Sequence, residues 1–125
     1  MTKFLFLIIL LFIFEVPAFS QVLHLYGGQN HDEYLGCLNC SIYDQSSIWN
    51  EYGTYGSKYN SYSPWNAYSA TPPVVVDKQG NFYGYFTVNE YKSKRADFEL
   101  ALLIYEYHEL IRENVRKWYT KIFEE

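Results

Sequence analysis

Residues 37–52 and residues 53–68 are two versions of one sixteen-residue pattern. The matching positions are Ser41, Tyr43, Asp44, Ser47, Trp49, Asn50 and Tyr52 in the first unit, and Ser57, Tyr59, Asn60, Ser63, Trp65, Asn66 and Tyr68 in the second. Tandem units of this kind cannot bury their apolar side chains alone and need a neighbour to pack on. We therefore predict that both units follow one backbone path.

The units differ in how that path can bend. Cys37 and Cys40 of the first unit correspond to Gly53 and Gly56 of the second. Glycine is used where the backbone turns tightly or adopts a positive φ. The Cys-x-x-Cys is thus predicted to lie on the same kind of bend, held by a cross-link or a metal where the second unit relies on glycine.

Aromatic residues dominate the repeat, and aliphatic residues are scarce in it. Its Asn, Asp and Ser side chains favour turns because they bond to nearby backbone groups. We expect extended pieces joined by turns, and a core built from rings whose N–H and O–H groups need partners when buried. Two interpretations stay open. The rings form this core, or they form an exposed platform for sugars or protein made by Trp49, Tyr52, Trp65 and Tyr68.

Conventional strand patterns flank the repeat. Residues 22–26 alternate apolar and polar side chains, and residues 74–76 lead through Asp77 to Gly80 into a second run at 81–88. The latter predicts a β-hairpin with Gly80 in the left-handed position. Gly84 suggests a bulge or a close approach, and one face of its strand is predicted to carry Phe82, Phe86 and Val88.

From residue 96 to residue 123 the apolar period becomes three to four, which predicts one long amphipathic helix with Asp97 as its N-cap. At 1.5 Å per residue such a helix would be about 40 Å long. A small sheet cannot cover that length. Its last turns would then be free to dock on a second copy, giving a homo-oligomer.

The first twenty residues have the pattern of a secretory signal peptide. Lys3 precedes an apolar run over 4–14, Pro17 interrupts it, and Ala18-Phe19-Ser20 offers a cleavage site before Gln21. The run is shorter than the roughly 20 residues a membrane span needs, although an uncleaved anchor is the alternative. We predict export to the periplasm or the exterior, and a single domain over 21–125 with no transmembrane segment after cleavage.

Composition and motifs narrow the function. The formal net charge is −4 at pH 7, and nucleic-acid binding depends on clustered basic residues, so no nucleic-acid partner is predicted. The sequence has no nucleophile elbow, no glycine-rich phosphate loop and no zinc-protease helix. We predict no catalytic residues.

The chain resembles a family of small, often exported bacterial proteins. The resemblance rests on Leu25-Tyr26-Gly27-Gly28, on Tyr34-Leu35-Gly36-Cys37-Leu38-Asn39-Cys40-Ser41, on the Ser-Ile-Trp-Asn-x-Tyr-Gly-x-Tyr-Gly-Ser-x-Tyr stretch from Ser47, and on residues 72–89. It implies a shared fold and varying numbers of the sixteen-residue unit, and it implies no established activity. The C-terminal helix lies outside it.

Cys37 and Cys40 are the residues on which chemistry is most plausible. In an exported protein they are expected to form a disulfide, structural or redox-labile. The alternative is a zinc site made by His24, His31, Cys37 and Cys40, whose ligand types suit zinc but whose spacing matches no standard finger.

Together these features predict an α+β fold with a small antiparallel sheet, an aromatic turn-rich repeat and a long C-terminal helix. The predicted function is a non-enzymatic binding or structural module, without a cofactor, whose partner is a cell-surface glycan or a protein. A zinc-binding or redox protein centred on the Cys-x-x-Cys is the alternative.

Overall fold

A computed structural model describes residues 22–40 and 42–124. The predicted signal peptide lies outside the described residues. One antiparallel sheet is formed by β1 (His24–Gly27), β2 (Glu33–Cys37), β3 (Val74–Val76) and β4 (Phe82–Tyr85). Its strand order is β2-β1-β3-β4, so two hairpins lie side by side. The residues between them, 38–73, are called the turn-rich segment below and include a short 3₁₀ helix at Thr54–Gly56.

The β3–β4 hairpin turns as its sequence predicts. Gly80 has a φ of +85°, and its N–H donates to the carbonyl of Asp77 at 2.9 Å. The buried Asp77 carboxylate accepts hydrogen bonds from the side chain and N–H of Asn81 and from the N–H of Gln79, each at 2.9 Å. These bonds, those of Asn81 first, lower the pKa of Asp77. The hairpin loop is therefore held by one carboxylate.

A bulge at Gly84 sets which side chains of β4 face the core. Val75 pairs with Gly84 and Val76 with Phe82, so Tyr83 is an extra residue in the ladder. Gly84 has a φ of +118°, and a Cβ there would lie 2.5 Å from the Cα of Ala96. The extra residue reverses the alternation. Phe82 is half exposed while Phe86 is fully buried, so the prediction that they share a face was wrong.

The C-terminal segment forms three helices, α1 (Glu99–Glu106), α2 (His108–Glu113) and α3 (Val115–Phe123). Together with the sheet they confirm the α+β class, but the single long helix predicted over 96–123 is corrected to three short ones. The break before α3 is at Asn114, which has φ −154° and ψ 79° and whose side chain accepts the N–H of Lys117. Asn114 caps a new helix. Phe98, not Asp97, is the N-cap of α1.

The three helices bury one set of side chains and expose another. The buried helical side chains are Ala101, Ile104, Tyr105, Ile111, Val115 and Tyr119. An exposed apolar strip remains on α1 and α2, made by Leu102, Leu103, Tyr107 and Leu110. None of the helices within the described residues is long and apolar enough to cross a membrane.

The core lies where sheet, turn-rich segment and helices meet. Leu25 and Val75 of the sheet and Ile104 of α1 are fully buried. The indole of Trp49 meets the Tyr119 ring edge-on at 5.6 Å, and that of Trp65 meets the Phe86 ring edge-on at 6.4 Å. The two tryptophans thus join the turn-rich segment to α3 on one side and to Phe86, which directly follows β4, on the other.

Candidate binding surface

The backbone of the turn-rich segment turns about every three residues. Over residues 44–53, the N–H groups of Ser47, Asn50 and Gly53 donate to the carbonyls of Asp44, Ser47 and Asn50. Over residues 60–69, the N–H groups of Ser63, Asn66 and Ser69 donate to the carbonyls of Asn60, Ser63 and Asn66. Each bond of the first set has a counterpart sixteen residues later. The bends at the cysteines and glycines also correspond, because Cys40 N–H donates to Cys37 O and Gly56 N–H to Gly53 O, both at 3.3 Å.

Short polar side chains fix these turns a second time. Ser47 Oγ accepts from Trp49 N–H and Asn50 Oδ1 from Tyr52 N–H, while Ser63 Oγ accepts from Trp65 N–H and Asn66 Oδ1 from Tyr68 N–H. All four distances lie between 2.9 and 3.0 Å. Each is a hydrogen bond from a backbone N–H to the side chain two residues earlier, the Asx and Ser/Thr turn geometry. The backbone is therefore anchored immediately before each of these aromatic residues.

The tryptophans of the predicted binding surface are buried. Trp49 is 2% exposed and Trp65 4% exposed. Their Nε1–H groups donate to the carbonyls of Leu38 and Ile48, each at 2.7 Å, and the two rings are tilted by 54°. The interpretation of Trp49 and Trp65 as an exposed platform is corrected, because both indoles have their polar atom satisfied inside the core.

The tyrosines of the same predicted surface are exposed. Tyr52 is 93% exposed and Tyr68 91% exposed. Tyr43 and Tyr59, also sixteen residues apart, are 67% and 83% exposed. Of the four residues predicted as a binding surface, the structure thus keeps Tyr52 and Tyr68 at the surface and removes the two tryptophans from it.

Cys37 and Cys40 form a disulfide, with their Cα atoms 5.1 Å apart. Cys37 stands at the end of β2, and Cys40 is exposed. The N–H of Cys37 donates to Sγ of Cys40 at 3.1 Å. The bond closes the bend that begins the turn-rich segment.

The structure does not bring the predicted zinc ligands together. His24 pairs with Cys37 in the β-ladder, but its Nδ1 shares a hydrogen bond of 2.8 Å with the hydroxyl of Tyr34. His31 instead donates from Nε2 to the carbonyl of Pro72 at 2.9 Å. Within the described residues, no three His, Cys, Asp or Glu side chains are grouped so that they could hold a metal. Joined sulfurs are not thiolates, so these residues do not form the zinc site considered above.

A groove of about 440 Å³ lies beside Tyr52. It is lined by Glu33, Gln45, Ser46, Asn50, Tyr52, Gly53, Thr54 and Tyr55. The hydroxyl of Tyr55 donates to Oε1 of Glu33 at 2.8 Å. Burial first, and then this hydrogen bond, raise the pKa of Tyr55 to about 12. The phenol therefore stays protonated and orients the Glu33 carboxylate.

Several polar groups of the groove are free to meet a ligand. The side chains of Gln45, Ser46 and Thr54 have no hydrogen-bond partner among the described residues. These three residues were not among the predicted site residues, which lie at positions where the units agree or in the Cys-x-x-Cys and nearby histidines. The available signal was the change of residue type at the sixteen-residue spacing, because Gln45 and Thr54 are followed sixteen residues later by Ser61 and Ala70.

Comparison of the chain with known protein families, with curated proteins and with solved structures found no match. The tyrosines, the groove and the disulfide are the features from which a function can be inferred.

Proposed function

We propose that this chain is an exported, non-enzymatic binding module that contacts a cell-surface glycan or a protein through the exposed tyrosines of its repeat. The observation that carries the proposal is the pairing of Tyr52 with Tyr68, and of Tyr43 with Tyr59, at corresponding and exposed positions. Each pair takes one ring from each unit. The repeat thereby displays the same side chain twice.

The anchoring of Tyr52 and Tyr68 supports a binding role. The N–H of each is held by an asparagine side chain two residues earlier, while the ring stands in water. A tyrosine has only two χ angles, so a ring on a fixed backbone loses little conformational entropy when it binds. The two exposed rings, one from each unit, form the contact surface that we propose.

The proposed exported location rests on the N-terminal sequence and on the cysteines. The apolar run that ends at Pro17 is typical of a signal peptide. A Cys37–Cys40 disulfide is favoured in oxidising compartments outside the cytosol. Both features agree with a protein that works at or beyond the cell surface.

Retention of the exported protein on bacterial envelopes tests the proposal. Replacing Tyr52 and Tyr68 together by alanine should reduce retention at least tenfold, since two ring contacts of about 1 kcal/mol each are lost. Tyr91→Ala is the matched control, because Tyr91 is also exposed and its N–H is also held by an asparagine, Asn89, yet it lies outside the repeat. Equal retention of both variants and the wild type would refute the proposal.

Thiol–disulfide exchange at Cys37–Cys40 is a second candidate function. It is favoured by the exposure of Cys40 and by the Cys37 N–H, which would stabilise a Cys40 thiolate. A Cys37→Ser variant should then trap partner proteins as mixed disulfides through Cys40. Absence of trapped species, with the thiol of Cys40 free, would leave a structural role.

The proposed partners include a second copy of the chain, bound through the helices. The exposed strip of Leu102, Leu103, Tyr107 and Leu110 offers an apolar face to a second copy. Sedimentation should show a dimer that Leu103→Glu converts to a monomer. A wild-type monomer at high protein concentration would exclude it.

A further inference from the structure

We infer that the groove beside Tyr52 binds one ring of a neutral glycan, and that Tyr68, sixteen residues later, has no equivalent site beside it. The inference rests on the proposed function and narrows it to one partner class and one position. It follows from the pairing of an exposed ring with unpartnered polar side chains in a single groove.

Tyr52 supplies the aromatic wall. Its ring is almost completely exposed and its N–H is held at 3.0 Å by Asn50. The face of an aromatic ring carries negative electrostatic potential. The C–H groups on one face of a pyranose carry small positive charges and form a flat apolar surface, so they complement such a ring.

Gln45, Ser46, Thr54 and Glu33 supply the polar wall. The amide of Gln45 and the hydroxyls of Ser46 and Thr54 can each donate and accept, and the Glu33 carboxylate accepts. Each sugar hydroxyl also donates and accepts. The first three side chains have no hydrogen-bond partner among the described residues, so a sugar can bind them without displacing another side chain of that part of the protein. Glu33 accepts from Tyr55 through Oε1 and has further acceptor sites for a sugar hydroxyl.

The size and charge of the groove select the ligand class. Its volume of about 440 Å³ lies within the range of about 300–1,000 Å³ seen for small-molecule sites. A protein partner would bury about 800 Å² of this surface around an apolar centre, whereas the groove walls are mostly polar. Glu33 is the one charged residue among those that line the groove, and the chain carries a net charge of −4, so acidic sugars are disfavoured.

The second unit provides an internal control. Tyr68 is as exposed as Tyr52, and Asn66 holds its N–H in the same way. The positions that correspond to Gln45 and Thr54 are Ser61 and Ala70. Tyr68 therefore has the ring without the matching polar wall.

Affinity electrophoresis of the exported protein in gels that contain a neutral glucan, mannan or galactan tests the inference. At least one of these polymers should retard the wild type. Tyr52→Ala and Gln45→Ala should each lower the affinity about tenfold, because each removes one wall. Tyr68→Ala should change it less than twofold. Urea unfolding midpoints equal to the wild type would show that the variants are folded.

Other outcomes overturn the inference in distinguishable ways. If Tyr68→Ala weakens glycan binding as much as Tyr52→Ala, the exposed tyrosines bind without the groove, and the proposed function stands while this site does not. If no neutral polymer retards the wild type but envelopes still retain it through Tyr52 and Tyr68, the partner is an acidic polymer or a protein. If envelopes retain all variants equally, the proposed function fails as well.

Discussion

The two sixteen-residue units form corresponding bends with different residues, a disulfide in the first and glycines in the second. In the first, Cys37 and Cys40 are joined by a disulfide and Cys40 is exposed. In the second, Gly56 is buried, and a Cβ added to it would lie 1.8 Å from the carbonyl oxygen of Asn50. Arg112 of α2 also donates to the Gly56 carbonyl at 2.6 Å. A side chain fits the bend where it faces water, and only glycine fits where the bend is enclosed between neighbouring backbone and a helix.

The largest expected effect tests whether the units contribute equally to the core. Trp49→Ala and Trp65→Ala should each lower the free energy of unfolding by about 3–5 kcal/mol, because each leaves a cavity and an unpaired carbonyl. Urea denaturation followed by circular dichroism measures the loss. Trp118→Ala, at a half-buried position on α3, is the control and should cost less. A loss below about 1 kcal/mol for either buried tryptophan would show that the two units do not contribute equally to the core.

A smaller effect tests why the second bend uses glycine. Gly56→Ala should cost about 3 kcal/mol, the upper end of the usual range for point mutations, because backbone must move to admit the methyl group. Gly53→Ala should cost less, since its Cβ would meet the carbonyl oxygen of Gln45 at the longer distance of 2.6 Å. Thermal and urea unfolding would report both. If Gly56→Ala is as stable as the wild type, the enclosure of this bend has been misjudged.

The smallest effect concerns the disulfide. Replacing Cys37 and Cys40 by serine should lower the free energy of unfolding by about 2 kcal/mol, because closure of so short a loop restricts the unfolded chain only modestly. Reductant should lower the stability of the wild type to that of the variant and leave the variant unchanged. A loss as large as that for the tryptophans would mean that the disulfide stabilises the fold beyond residues 37–40.

What could be predicted from sequence was local in origin. The Asp77-to-Gly80 hairpin follows from residues next to each other in the chain, and Gly80 adopts the left-handed conformation expected of it. The sequence also predicted that a buried indole N–H would need a hydrogen-bond partner. Its partners, the carbonyls of Leu38 and Ile48, were not, because they lie eleven and seventeen residues away and depend on how the units pack.

The wrong predictions for the C-terminal helix and for β4 arose because the spacing of apolar residues stays regular where the backbone is interrupted. Apolar spacing continues through Asn114, so one helix was predicted, although its capping side chain starts a new one. Tyr83 is likewise an extra residue in β4, and it places Phe82 on the opposite face from the one that strict alternation assigns. The groove beside Tyr52 combines Glu33 with residues of the repeat, a proximity that only the folded chain creates.

β1 pairs with β2 on one side and with β3 on the other, so the sheet holds both ends of the turn-rich segment, which connects β2 to β3. The entropy lost on closing a loop grows only with the logarithm of its length, by about 0.6 kcal/mol for each doubling. Inserting one more sixteen-residue unit would therefore add less than that to the cost of closure. The number of exposed tyrosines can therefore change with the number of units while the pairing of the strands stays the same.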